Sequence, residues 1–201
     1  MDITKNERKK IILASASPRR KEILSGLGVR FETLVADADE TCDIDDPVLY
    51  ARELARRKGQ AAYAKLGGDA QDKIVLSADT IVVCDGEILG KPIDRDDAIR
   101  MIKMLSGRAH SVITGVGVTV GGVTSVSHSE TLVFVDDIPD NEIERYVDSG
   151  DPMDKAGSYG IQGAFSRWIS KIDGCYFGVV GLPVNCLAEL YRKVIGKEMT
   201  E

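Results

Sequence analysis

Histidine and cysteine are scarce in this sequence, and the few present form no reactive arrangement. Only His110 and His128 occur, and neither has a Ser or Cys beside it in a nucleophile motif, which argues against a histidine-based triad. The cysteines, Cys42, Cys84, Cys175 and Cys186, form no C-x-x-C pair, so no zinc or redox motif is suggested and reduced cytosolic thiols are expected. No apolar run has the length of a membrane span, and Met1 to Lys10 is charged rather than signal-like. A cytoplasmic protein without a membrane partner is therefore expected. Net positive charge is missing too: the formal charge of -6 over 201 residues argues against a nucleic-acid partner, because a polyanion needs a broad basic face. A small anion held by a few local cations remains open. Aromatic residues make up only 5% and Ala, Val, Ile and Leu carry most of the 43% hydrophobic content, the composition of sheets covered by helices. The expected fold class is α/β, with one core or two small lobes in a single domain over residues 1–201.

Along the chain, Ile11 to Ala14 reads as a strand feeding a helix that puts Ile23, Leu24 and Leu27 on one face and stops at Gly28. Phe31 to Val35 alternates as a second strand, and Asp37 to Asp46 is an acidic loop. Asp46-Pro47 starts the longest helix, which carries Leu49, Leu54, Ala55, Ala61 and Ala62 to Leu66. Lys73 to Val83 is a buried strand turned by Asp85-Gly86 into the strand Glu87 to Leu89. Asp94 caps a helix with Ile99, Ile102 and Leu105 in register, ended by Gly107. Three strands follow, Ser111 to Val120, Val123 to Ser127 and Thr131 to Val135, then a helix over about Asp140 to Val147. A long Gly-rich loop, Asp151 to Gly163, precedes a final helix from Pro183.

The stretch Ser15-Ala16-Ser17-Pro18-Arg19-Arg20 places an N-cap and a first-position Pro at a strand-to-helix turn, with free N–H groups and a positive dipole end. Arg19 and Arg20 in the first turn oppose that dipole. A phosphate ligand would explain them, and so would a solvated helix start. Asp37-Ala38-Asp39-Glu40 offers oxygen ligands for a hard cation, although acidic loops are often merely solvated. Asp79 interrupts the apolar run Ile74 to Val83, where a charge is costly to bury unless it meets a metal, a cation or a cleft. Gly90-Lys91-Pro92 lacks the Ser or Thr and the glycine spacing of a Walker loop, yet Lys91 can serve phosphate as a point charge. The run Asp154 to Gly163 is rich enough in glycine to let backbone approach a ligand, or to be a mobile surface loop. Carboxylates and cations are left to do the chemistry, a combination that suits metal-assisted phosphoryl transfer.

Ser15 to Arg20, Asp39-Glu40, Lys58, Ser77-Ala78-Asp79-Thr80, Gly90-Lys91-Pro92, Thr114-Gly115-Val116, Glu130-Thr131, Asp154 to Gly163 and Val179 to Pro183 together resemble the Maf family of nucleotide pyrophosphatases, in order and spacing over nearly the whole chain. The resemblance implies an extended, twisted mixed sheet flanked by helices, of the Maf/ITPase-like kind, with two lobes and an active-site cleft between them. It implies release of pyrophosphate from a nucleoside triphosphate substrate, with Mg²⁺ or Mn²⁺ as the cofactor and a homodimer as a compatible assembly. It assigns Asp79 as proton acceptor and, with Glu40, as metal ligand, and it puts Ser15, Arg19, Arg20, Lys58 and Lys91 on the phosphate path. Thr80 and Gln162, with Arg19 after Ser17-Pro18, resemble the branch acting on dTTP and UTP; the other branch, acting on 7-methyl-GTP, tends to have Gln and Glu at the first two places. A nucleotide-binding role in septum formation is the non-enzymatic alternative. Gly178 departs from the family's usual Asn, and Asp151 from a frequent Glu, which puts a side-chain role at position 178 in doubt.

Overall fold

Two short strands that share one edge of a long one set the architecture. In the computed structural model, which describes residues 9–200, β1 (Lys10–Leu13) runs parallel to the opening of β3 (Lys73–Cys84), pairing Lys10 with Lys73 and Leu13 with Leu76. Met1–Arg8, most of the charged opening stretch, and Glu201 lie outside the described residues. At the far end of β3, β4 (Glu87–Leu89) folds back antiparallel, from Val82–Leu89 to Cys84–Glu87, through a turn in which Asp85 and Gly86 take φ of 49° and 82°. β5 (Ala109–Val120) fills the opposite edge of β3 from Val75 to Val83. Ser77 to Ile81 therefore have a strand neighbour on one side only.

Outward from β1 lies β2 (Phe31–Thr33), parallel; outward from β5 come β6 (Val123–Val135) and β7 (Ile169–Asp173), antiparallel. The sheet order is β2-β1-β3-β5-β6-β7. β6 is continuous where two strands were expected, because Ser129 and Glu130 keep their partners Thr114 and Ile113 on β5 despite their polarity. β7 was not anticipated from the sequence. Its pattern is mostly exposed, so it shows little apolar alternation.

α2 (Pro47–Leu66) covers one face of the sheet, begun by Asp46, whose Oδ1 accepts the Leu49 N–H at 2.8 Å. The expected apolar face of this helix is only partly right. Leu49 is 50% exposed, and the buried positions are Ala51, Leu54, Ala55, Gly59 and Ala62, a face made mostly of small residues. The strands beneath carry glycine in turn: a Cβ on Gly115 would lie 2.6 Å from the carbonyl carbon of Ala51 and nearer still to its oxygen. Helix and sheet thus approach backbone to backbone, and this closeness brings the end of the Lys58 side chain to β3.

The other face is divided. α1 (Pro18–Gly26) and α6 (Val184–Ile195) pack over the β1 side around Leu13, Leu24, Leu76, Val118 and Leu187. α3 (Arg95–Leu105) and α4 (Asp140–Asp148) pack over the β4 side with Leu89, Ile102, Ile143, Phe165 and Trp168. One sheet runs through both lobes. Of the apolar face expected for α1, Leu24 is buried, whereas Leu27, just past the helix, is 38% exposed. α6 begins one residue after Pro183, and the short α5 (Tyr176–Val180) precedes it, ended by Gly181 at φ 119°.

Candidate active site

The unpaired edge at Ser77 to Ile81 opens into a cleft of about 780 Å³ between the lobes, a volume suited to a nucleotide-sized ligand. Asp79 lies at its floor, 8% exposed, on the face of β3 that looks toward α2. Lys58 reaches down from α2 and pairs with Asp79 Oδ1, and the same ammonium lies 3.0 Å from Glu40 Oε1 in the acidic loop. Oδ2 of Asp79 has no hydrogen-bond partner among the described residues. A buried carboxylate is thus held by one cation through one oxygen, and its second oxygen is left for a ligand or a proton.

Arg20 crosses from α1 to the same strand on the other side. Its Nη1 donates to Ala78 O at 2.9 Å and to Ser15 Oγ at 3.2 Å, Nη2 donates to Thr80 Oγ1 at 3.2 Å, and Nε donates to Gly181 O at 2.8 Å. Ala78 O belongs to the edge that lacks a strand, so the guanidinium supplies the donor that a neighbouring strand would have given. Burial lowers the Arg20 pKa, and nearby Asp79 opposes that shift. Thr80 and Thr114 share a hydrogen bond of 2.9 Å, and Thr114 donates to Gly178 O at 2.8 Å, which ties α5 to the site. Position 178 acts through its backbone. A Cβ there would face Ser129 and Cys175 at 3.3 and 3.5 Å, while Val179 to Gly181 line the cleft. Ser17 does begin α1, but its side chain makes no cap bond; its N–H donates to Ser15 Oγ at 3.2 Å.

The Gly-rich stretch is not a featureless loop. Short 3₁₀ turns occupy Asp151–Asp154, Ala156–Ser158 and Ala164–Trp168, and Tyr159, Ile161 and Phe165 are buried. Gly157 N–H donates to Gly90 O at 3.0 Å, which joins this stretch to the turn bearing Lys91. Lys155 is the cleft residue that sequence reasoning missed. Its ammonium is held by Asp151 Oδ1 at 3.2 Å and Asp154 Oδ1 at 2.7 Å, and Tyr146 OH donates to Asp151 Oδ2 at 2.8 Å. The i, i+4 spacing of Asp151 and Lys155 was the available signal, although it suggests a helix pair rather than a cleft. The Lys155 hydrogen bond to Asp154 draws the Asp154 carboxyl below its ordinary pKa.

Ser15, Arg19, Arg20, Glu40, Lys58, Asp79, Thr80, Lys91 and Gln162 all line this one cleft. The family model for Maf-like proteins matches residues 10–194. The chain belongs to the Maf family. A dTTP/UTP pyrophosphatase of Koribacter versatilis is 49% identical to this Maf chain over 183 residues, covering 90% of it and 91% of the relative. A dTTP/UTP pyrophosphatase of Chromobacterium violaceum is 48% identical over 178 residues, covering 88% and 90%. Among solved structures, the Ham1 protein of Staphylococcus aureus overlaps 63% of this chain and 72% of its own at TM-score 0.46 and 15% identity, a partial likeness. No helix among the described residues of the Maf chain is long and apolar enough to cross a membrane.

The floor beneath the Gly-rich stretch contains a titratable pair. His110 on β5, 2% exposed, shares a 2.7 Å hydrogen bond between Nε2 and Tyr159 OH, the rings meeting edge-on at 5.3 Å, and its Nδ1 is buried without a partner. Burial lowers the His110 pKa from 6.5 to about 4 and raises that of Tyr159. The unfolded chain binds a proton below pH 6.5 that the folded one refuses until about pH 4. His110 therefore favours folding fully above pH 6.5, and its contribution falls as the pH drops toward 4, by up to about 3 kcal/mol. Denaturant titrations at pH 7 and pH 4.5 should show a larger loss for the native protein than for His110→Gln. Equal losses would mean that His110 is not the group responsible.

Proposed function

We propose that the chain hydrolyses nucleoside triphosphates between the α- and β-phosphates, giving a nucleoside monophosphate and pyrophosphate, with dTTP and UTP as preferred substrates. The observation that carries this reading is the distribution of charge along the cleft. Lys58 and Lys155 are each matched by two carboxylates, and Arg20 is engaged with backbone and hydroxyl oxygens. Arg19 and Lys91 make no ion pair among the described residues, although Arg19 lies near enough to help lower the Asp154 pKa, and they come from α1 on one lobe and the turn after β4 on the other. Two cations without ion pairs in one cleft suit a chain of phosphates. The names of the relatives support the same substrate class.

Asp79 Oδ2 is the available proton acceptor for an attacking water, and Lys58 orients the carboxylate by holding Oδ1. Arg19 and Lys91 stabilise charge that spreads onto the departing pyrophosphate, so they act more strongly in the transition state than on bound substrate. Among the described residues no three His, Cys, Asp or Glu side chains gather, so the protein alone offers no complete metal shell. Glu40 and Asp79, already brought together around the Lys58 ammonium, fit Mg²⁺ or Mn²⁺, which takes one or two carboxylates and completes its shell with phosphate oxygens and water. When bound, the cation polarises the α-phosphoryl oxygen and neutralises charge. Gln162, exposed at the rim, can both donate to and accept from the pairing edge of uracil or thymine, whereas a cationic 7-methylguanine with adjacent donors suits a carboxylate better.

One experiment tests the whole reading: pyrophosphate release from dTTP, UTP, CTP and 7-methyl-GTP, with Mg²⁺ or Mn²⁺ and with excess chelator. Release from dTTP and UTP that stops on chelation is expected. Gln162→Glu should lower kcat/KM for dTTP relative to 7-methyl-GTP by about 10-fold or more, since mismatched polar groups discriminate strongly. No release from any nucleotide would leave binding without catalysis, and preference for the methylated purine would overturn the branch assignment alone.

A further inference from the structure

Glu40 is exposed and lies in a loop without helix or strand, so its single ion pair to Lys58 does not explain how it keeps its place. The residue beside Lys58 does. Arg57 Nη1 donates to Asp39 O at 3.0 Å and to Thr41 O at 2.6 Å, gripping the backbone on either side of Glu40. Asp39 Oδ1 accepts the Thr41 N–H at 2.9 Å and also the Thr41 hydroxyl, closing the turn whose middle residue is Glu40. These bonds hold the Asp39 carboxyl below its ordinary pKa.

Arg57 is itself oriented. Its Nε donates to Glu53 Oε1 at 2.7 Å, one helical turn back on α2, and Arg56 Nε donates to the other oxygen, Oε2, at 2.7 Å. With two guanidinium partners, chiefly Arg56, the Glu53 carboxyl is pushed down to about 2 and stays ionised. The planar guanidinium, fixed at Nε, has both Nη1 hydrogens available for two carbonyls at once, and a lysine ammonium could not keep that fork. Consecutive residues of α2 therefore act on one loop: Lys58 takes the Glu40 carboxylate and Arg57 takes the backbone around it.

We propose that Arg57, braced by Glu53, is the positioning residue that sets Glu40 at the cleft, and that it acts only through Glu40. The activity part of this inference rests on the pyrophosphatase reading, and the structural part does not. The test uses Arg57→Ala, Arg57→Lys, Glu40→Gln and the double variant Arg57→Ala/Glu40→Gln in the full chain. Backbone hydrogen exchange in the metal-free protein should rise about 10-fold or more over residues 38–42 in Arg57→Ala, with the sheet unchanged, as expected when a loop loses its tertiary hydrogen bonds. The Mg²⁺ concentration for half-maximal pyrophosphate release should rise about 10-fold while kcat at saturating Mg²⁺ changes little, the range typical of outer partners of a metal ligand. Arg57→Lys should recover only part of this shift. In the Glu40→Gln background, Arg57→Ala should add no further loss. Unchanged exchange over 38–42, or losses that multiply in the double variant, would overturn the proposal. A native protein that releases no pyrophosphate would sink the function reading alone, and exchange would still decide whether Arg57 holds the loop.

Discussion

Asp79→Asn is expected to lower kcat about 1,000-fold, within the range contributed by a positioned general base, while KM for dTTP or UTP moves only a few-fold. The substitution keeps the shape of the side chain on β3 and leaves an oxygen for Lys58, so the cleft and its cations Arg19 and Lys91 remain. What disappears is the capacity of Oδ2 to take a proton, together with the charge that holds Lys58 and that would help to hold a divalent cation. Some stability should be lost as well, because the Lys58 ammonium, itself partly buried, loses its closest anion and retains only exposed Glu40. Circular dichroism and equilibrium binding of dTTP separate the two effects. A folded Asp79→Asn protein that binds dTTP and turns over at the native rate would remove Asp79 from the chemistry.

Gly115→Ala should unfold the protein at a temperature lower by roughly 10 °C, from about 3 kcal/mol of overpacking and the 2–4 °C per kcal/mol expected at this chain length. The new Cβ meets the carbonyl carbon of Ala51 at 2.6 Å and the Arg52 nitrogen at 3.0 Å, all backbone, so no side chain can rotate away. α2 must lift from β5. Lys58, on the same helix, would then be drawn off Asp79, and kcat should fall together with stability. Gly26→Ala is the control, since a Cβ there meets nothing within 4 Å and alanine favours the helix. Calorimetry on the two variants decides the matter, and a native melting temperature for Gly115→Ala would show that the close contact is not tight.

The elements that fold by local rules were legible beforehand. Asp46-Pro47, Asp94 and Asp85-Gly86 each carry their own capping or turn chemistry, and the helices and the hairpin they start were found where expected. β7 and α5 were not, because β7 is mostly exposed and α5 is a single turn set by Gly181. Glycine left two readings open in Asp154 to Gly163, backbone approach to a ligand or a mobile surface loop. Gly157 lies with φ 68° against Val82, where a Cβ would come within 2.9 Å of that side chain, the backbone is bonded to Gly90, and Gly160 and Gly163 line the cleft. Gly115 and Gly117 look like flaws in a strand, and they are the surface on which α2 rests.

The site divides along the same line. Residue types and their order along the chain singled out Asp79 as an acid in an apolar strand and Arg19 and Arg20 as cations against a helix dipole, because each violates a local preference that can be read without coordinates. Partnership could not be read that way. Arg20 and Arg19 are adjacent and chemically identical, yet one is spent on Ala78 O, Thr80 and Gly181 while the other faces the cleft, since that depends on a strand edge left open between β1 and β4. Lys155 was missed because the i, i+4 spacing to Asp151 suggests a helix pair rather than a cleft, and Arg57 because its targets are backbone carbonyls, which every residue possesses. Local chemistry marked which groups were out of place; only the packing of α2, α1 and the Gly-rich stretch around one gap in the sheet decided which of them meet, because distance along the chain says nothing about distance across a cleft.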